Sequence, residues 1–160
     1  MTNARAALLA VILTGVTAAP ASADITGFIG ANMTPKNRHN QGFAAGVGLL
    51  VVGFEFEYGS TPDEPTQLAP ALTTGSGNVL VQTPFAIFGF QPYATTGGGI
   101  YRETLGSHEK TGFALNTGGG VKISLLGPVR LRLDYRVFKL GDAALESTVQ
   151  RVYAGLNLKF

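Results

Sequence analysis

The last nine residues, Val152-Tyr153-Ala154-Gly155-Leu156-Asn157-Leu158-Lys159-Phe160, decide the fold. Val152, Ala154, Leu156, Leu158 and Phe160 share one face of an extended chain, and Tyr153, Gly155, Asn157 and Lys159 share the other. This is a period-2 strand, apolar on one side and polar or small on the other. A strand so regular, ending on an aromatic residue, is built to pair rather than to fray. Its natural partner is the first strand of the mature chain. That pairing closes a sheet into a barrel and leaves no free edge.

The same alternation recurs upstream. Val129, Leu131, Leu133, Tyr135 and Val137 alternate with Arg130, Arg132, Asp134 and Arg136 in a strand over 129–138. Phe43, Ala45, Val47, Leu49 and Val51 mark a strand over 42–52, and Phe54, Phe56 and Tyr58 alternate with Glu55 and Glu57 over 54–58. Less regular strands are expected over 25–33, where Phe28 falls on the polar face, and over 78–85, 90–102 and 112–124. Tight turns are expected at Gly53, 86–89 and 125–128, and polar loops at 34–41, 60–77, 103–111 and 139–148. The long stretch 60–77 is rich in Pro, Thr and Gly and reads as irregular. Long connections alternate with short ones, as in an up-and-down meander across a membrane, with both termini on the short-turn side.

The amino-terminal segment reads differently. Arg5 is its single charge, Ala6 to Val16 is apolar, and Ala21-Ser22-Ala23 is a small-residue cleavage site. Residues 1–23 are expected to be a cleavable signal peptide, cut before Asp24, with 24–160 forming one domain. The apolar run is too short to span a membrane as a helix. The chain has no cysteine, which excludes disulfides, thiolate metal sites and cysteine nucleophiles. With Arg5 removed, Lys and Arg nearly balance Asp and Glu, so no nucleic-acid partner is expected. No cofactor is expected either.

Alternation alone does not say which face points outward. A soluble barrel would bury the apolar face and expose the charges. Two features favour the inverse. The polar face carries glycines 46, 48, 97, 99, 118 and 120, which would weaken an exposed strand but leave room in a narrow lumen. The apolar face carries Phe43, Phe54, Tyr58, Phe85, Tyr135 and Phe160 towards strand ends, where interfacial girdles sit. The expected fold class is therefore all-β: an eight-stranded antiparallel up-and-down transmembrane β-barrel, its outer face in contact with membrane lipids.

Glu55, Glu57, Lys122, Arg130, Arg132, Asp134 and Arg136 then point into the lumen, with Arg151 as a further candidate. Buried charges must be paired or hydrated. They form either a salt-bridge network that plugs the interior or a gate in a narrow polar path. Acid–base catalysis by Glu55 and Glu57 is disfavoured, because abundant arginine would hold both ionised. Lipid-active barrel enzymes need a histidine oriented beside a serine. His39 and His108 are both expected in loops, and Ser107 and His108, being adjacent, point apart. No enzyme activity and no metal site are expected. The glycine triplets 97–99 and 118–120 precede no helix and are not phosphate loops.

Several segments carry a family likeness. Pro92 to Arg102 (PYATTGGGIYR), Asn116 to Lys122 (NTGGGVK) and Leu131 to Arg136 (LRLDYR) resemble strands of the OmpA-like, opacity-type outer-membrane β-barrel superfamily. The terminal strand, through Val152, Ala154, Leu156, Leu158 and Phe160, resembles that group's carboxyl-terminal signature. The resemblance implies an eight-stranded barrel in the outer membrane, delivered with periplasmic chaperones and inserted by the barrel assembly machinery, which reads the last strand. It implies no single function. Members include structural anchors, adhesins and immune-evasion proteins, so a host or surface ligand would meet loops 34–41, 60–77, 103–111 and 139–148. No wall-binding domain is expected, because none follows Phe160.

Overall fold

The computed structural model describes residues 21–64, 69–141 and 144–160. These form eight strands: β1 (Ala21–Asn32), β2 (Arg38–Leu49), β3 (Val52–Thr61), β4 (Ala71–Gln82), β5 (Phe90–Leu105), β6 (His108–Leu126), β7 (Val129–Leu140) and β8 (Thr148–Lys159). Each strand pairs antiparallel with the next, and β8 returns to β1, so the sheet is a closed barrel. The terminal strand makes the expected pairing, with Leu156 opposite Gly27 and Leu158 opposite Ile25. Most of the expected signal segment, 1–20, lies outside the described residues; 21–23 continue β1 and pair with 47–49.

The register fixes the shape. A path through paired residues from Phe90 to Ile123, Leu131, Leu156, Gly27, Phe43, Tyr58 and Gly75 returns to β5 at Ile100, ten residues from its start. At about 3.4 Å per residue along a strand and about 4.8 Å between strands, that offset tilts the strands by about 40°. An eight-stranded barrel of this kind is just wide enough for side chains to fill.

The barrel is inside-out relative to a soluble one. Ile29, Phe54, Phe56, Ile100, Phe113 and Leu156 are each more than half exposed on the outer face. Arg132, Arg136, Arg151, Glu57 and Asn157 are at most 1 % exposed inside. Phe28, the exception to the sequence pattern, also points inward. It stacks on Tyr153 with ring centroids 4.0 Å apart. Its register partners are Gly42 on β2 and Gly155 on β8, and a Cβ on either would collide with the Phe28 side chain.

Several expected boundaries are corrected. Residues 60–61 belong to β3 and 71–77 to β4, so the expected loop 60–77 shrinks to 62–70. Leu72, Thr74, Ser76 and Asn78 point inward, and Thr73, Gly75 and Gly77 outward. With small or polar residues on both faces, this strand has no apolar stripe to announce it. The expected loop 103–111 is a hairpin whose turn is Gly106–Ser107, with Gly106 at φ +60°. The outer two loops shorten to 33–37 and 141–147, within which 142–143 lie outside the described residues. Gly53 lies within β3; the turn is Leu50–Val51, with Leu50 itself at φ 53°. The fourth strand stops at Gln82 instead of Phe85, and the connection 83–89 is as long as 141–147. The expected contrast between long and short connections is therefore weaker than the sequence suggests. His39 lies on the outward face of β2, and His108 is the first residue of β6.

Candidate functional site

The lumen collects the charged side chains that stand at inward positions, because alternation sends every second residue of each strand inward. Strand β7 gives the vertical order. From the turn end to the loop end its inward residues are Arg130, Arg132, Asp134, Arg136, Phe138 and Leu140. They pass through three zones.

The middle zone is a buried ionic network. Among the described residues three carboxylates, Glu55, Glu57 and Asp134, meet three guanidiniums, Arg132, Arg136 and Arg151, and none of these side chains is more than 2 % exposed. Arg132 donates to both oxygens of Glu55, at 2.5 and 3.1 Å, and to Asp134 at 3.0 Å. Arg136 reaches Glu55 at 2.8 Å, Glu57 at 3.1 Å and Asp134 at 3.0 Å. Arg151 sits 3.4 Å from Glu57 and donates to Asn32 and Thr74. Tyrosines complete the network. Tyr153 donates to Glu57 at 2.9 Å; Tyr93 donates to Asp134 and accepts from Arg132. The Arg132 guanidinium also lies over both tyrosine rings. Strands β3 and β7 stand four apart in the ring of eight, so the Glu55 pairs cross the full width of the lumen. Two glycines make room: a Cβ on Gly59 would meet Arg151 Nη1 at 2.6 Å, and one on Gly120 would meet Tyr93 Oη at 2.6 Å.

The turn-end zone is a polar vestibule. Its cavity of about 300 Å³ is lined by Asp24, Gln82, Gln91, Lys122 and Arg130, among others. Lys122 and Arg130 both donate to one oxygen of Asp24, at 2.6 and 3.2 Å. Arg130 further donates to Asn157 and Gln91.

The loop-end zone is apolar on the side of β4–β8 and polar on the side of β1–β3, where Asn32 and Asn40 both donate to Thr61 Oγ1. Leu72, Tyr101, Ala114, Phe138, Leu140 and Val149 form a buried cluster above the network. Phe138 faces the Arg151 guanidinium, 4.4 Å from ring centroid to carbon. Above the cluster, Arg38 donates to the carbonyls of Pro62 and Pro70, and the Leu145 amide donates to Glu103. These bonds tie Pro62 and Pro70 to β2 and Leu145 to β5.

All seven lumen candidates, and Arg151, thus point inward, but they do not form one constellation. Lys122 and Arg130 belong to the vestibule and pair with Asp24, a residue the sequence did not single out. The apolar cap was also missed. Its Leu72 falls in the expected loop 60–77, and Phe138 at the expected end of the strand over 129–138. Tyr93 and Tyr153 lie inward by simple alternation, and that parity is the signal that could have found them.

A closed eight-stranded up-and-down barrel with an ionic interior and an apolar exterior is the fold of small outer-membrane barrels. No protein-family model matches the chain, and no curated protein matches its sequence significantly. Solved structures do. The N-terminal β-barrel domain of Pseudomonas aeruginosa OprF superposes with a TM-score of 0.68 at 19% identity, covering 87% of this chain and 97% of that one. Neisserial surface protein A gives 0.66 at 17% identity, covering 88% and 96%. Ail, the attachment invasion locus protein of Yersinia pestis, gives 0.59 at 15% identity, covering 88% and 98%. These likenesses establish the fold.

Proposed function

We propose that this chain is an integral outer-membrane protein with a mainly structural or surface-contact role, and that its lumen is sealed rather than conducting. The sealing carries the reading: a charge-matched buried network fills the middle of the barrel, and an apolar cluster on one side and the bonded Asn32, Asn40 and Thr61 on the other close the loop end above it. An ion entering from the vestibule would have to displace both. The apolar outer face supports a membrane location, because the closed sheet leaves no unpaired edge strand facing the hydrocarbon. Residues 1–23 act as the export signal, and Val152, Ala154, Leu156, Leu158 and Phe160 act as the strand read by the assembly machinery after periplasmic chaperones deliver the chain. Contact with a host or surface ligand falls to the connections 33–37, 62–70, 106–107 and 141–147. A catalytic role is disfavoured by geometry: His39 faces outward on β2, and His108 is an exposed residue at the start of β6.

The test is single-channel conductance of residues 24–160 refolded into a planar bilayer, after heat-shifted gel mobility confirms a folded barrel. A silent bilayer is expected. A steady, discrete conductance, altered by Glu57→Gln or Arg132→Gln, would replace this reading with that of a narrow gated pore.

A further inference from the structure

The end of the barrel that carries both termini is apolar where turns in water are ordinarily polar. Phe88 is 96 % exposed, Leu126 83 %, Phe85 69 % and Phe160 68 %, with Leu50 and Ile87 about half exposed. No Asp, Glu, Lys or Arg occurs in 49–53, 83–90 or 123–129. The connections at the opposite end carry Lys36, Asp63, Glu64 and Glu146.

The level of these residues can be worked out. At the loop end the outward positions turn polar at Gln41 on β2, Ser60 on β3, Lys139 on β7 and Gln150 on β8. Ten residues from each, towards the other end, stand Val51, Leu50, Val129 and Phe160. A strand tilted by about 40° climbs about 2.5 Å per residue, so ten residues span about 25 Å, the height of the apolar band of an outer-membrane barrel. Leu50 and Phe160 therefore lie at the edge of the hydrocarbon. Phe85, Phe88 and Leu126, in or beside the turns past the strand ends, lie in the headgroup layer. The apolar exterior runs into them without a polar break, through Val52, Phe90 and Ile123.

We propose that this end of the barrel is itself a lipid-binding surface: its turns insert into the phospholipid interface of the leaflet on the side of the termini, instead of projecting into water. The proposal rests on the membrane reading above and adds the depth at which the barrel sits. The occupant is the lipid interface because the patch continues the lipid-facing band and its turns carry no Asp, Glu, Lys or Arg, while the exposed Lys159 beside Phe160 and Phe85 suits anionic headgroups.

The chain has no tryptophan, so a single introduced one reports its own surroundings. Phe88→Trp, Leu126→Trp, Phe56→Trp and Leu145→Trp are each made in the full barrel and refolded into phosphatidylcholine–phosphatidylglycerol vesicles. Phe56 lies in the middle of the band and Leu145 in a loop at the opposite end. Phe88→Trp and Leu126→Trp are expected to lose about half their emission or more to lipids brominated at shallow acyl carbons, and to resist iodide, which quenches Leu145→Trp. If Phe56→Trp is quenched by bromolipid while Phe88→Trp and Leu126→Trp are open to iodide and untouched by bromine, the turns lie in water and the proposal is overturned. If Phe56→Trp itself escapes bromolipid, the membrane reading fails, and this one with it.

Discussion

Glu55→Gln tests whether the lumen is dry. The substitution keeps the shape of the side chain and removes one charge. In the native barrel, Glu55 accepts two bonds from Arg132 and one from Arg136. Without it, three guanidiniums share two carboxylates in a space almost closed to solvent. Removing one partner of a buried ion pair typically costs about 3–5 kcal/mol, mostly because the remaining charge is left uncompensated. With a urea dependence of about 2 kcal/mol per molar, the unfolding midpoint should fall by about 1.5–2.5 M. The measurement is reversible urea unfolding in phospholipid vesicles, followed by far-UV circular dichroism and by gel mobility. The double variant Glu55→Gln with Arg132→Met should recover much of the loss, because it removes the stranded charge as well. A loss below about 0.5 kcal/mol for Glu55→Gln would place it among screened surface pairs and would refute the dry-network argument.

Asp24→Asn makes the same chemical change in the open vestibule, where water can take over from the carboxylate; a loss of about 1 kcal/mol, reduced by salt, is expected in the same urea assay. Tyr153→Phe removes the hydroxyl that donates to Glu57 and keeps the stack on Phe28, so a loss of about 1–2 kcal/mol should appear with no change in gel mobility of the folded form. Gly59→Ala places a methyl against the pinned Arg151 guanidinium, and overpacking of about 1–3 kcal/mol should show as a lowered thermal midpoint. Phe138→Ala opens the apolar cap while the network below still blocks the lumen, so conductance should stay silent although stability falls by about 3 kcal/mol.

Strands β7 and β8 were legible in the sequence because one face of each is apolar and the other charged or small. Strand β4 was not, since Thr74 and Ser76 inside and Gly75 and Gly77 outside present no contrast of polarity. The turn at Leu50–Val51 was hidden for a related reason: both residues are apolar and extend the alternation of β2, while Gly53 imitates a turn. The inward direction of the charged residues follows from parity alone. Who pairs with whom does not. That depends on how far the sheet is staggered before it closes, which brings Glu55 across from Arg132 and leaves Lys122 to Asp24. The cap of Leu72, Tyr101, Phe138 and Val149 draws on four strands, and no local pattern marks it.

The Glu55 bridges to Arg132 and Arg136 have a mechanical consequence. A hydrogen-bonded ring joins each strand only to its two neighbours, so it behaves as a hoop and flattens easily. Struts between β3 and β7, opposite each other in that hoop, act as cross-bracing and hold the section round. They also index the closure: a two-residue slip of β7 would set Asp134 or Arg130 where Arg132 stands, and the brace would no longer meet its socket.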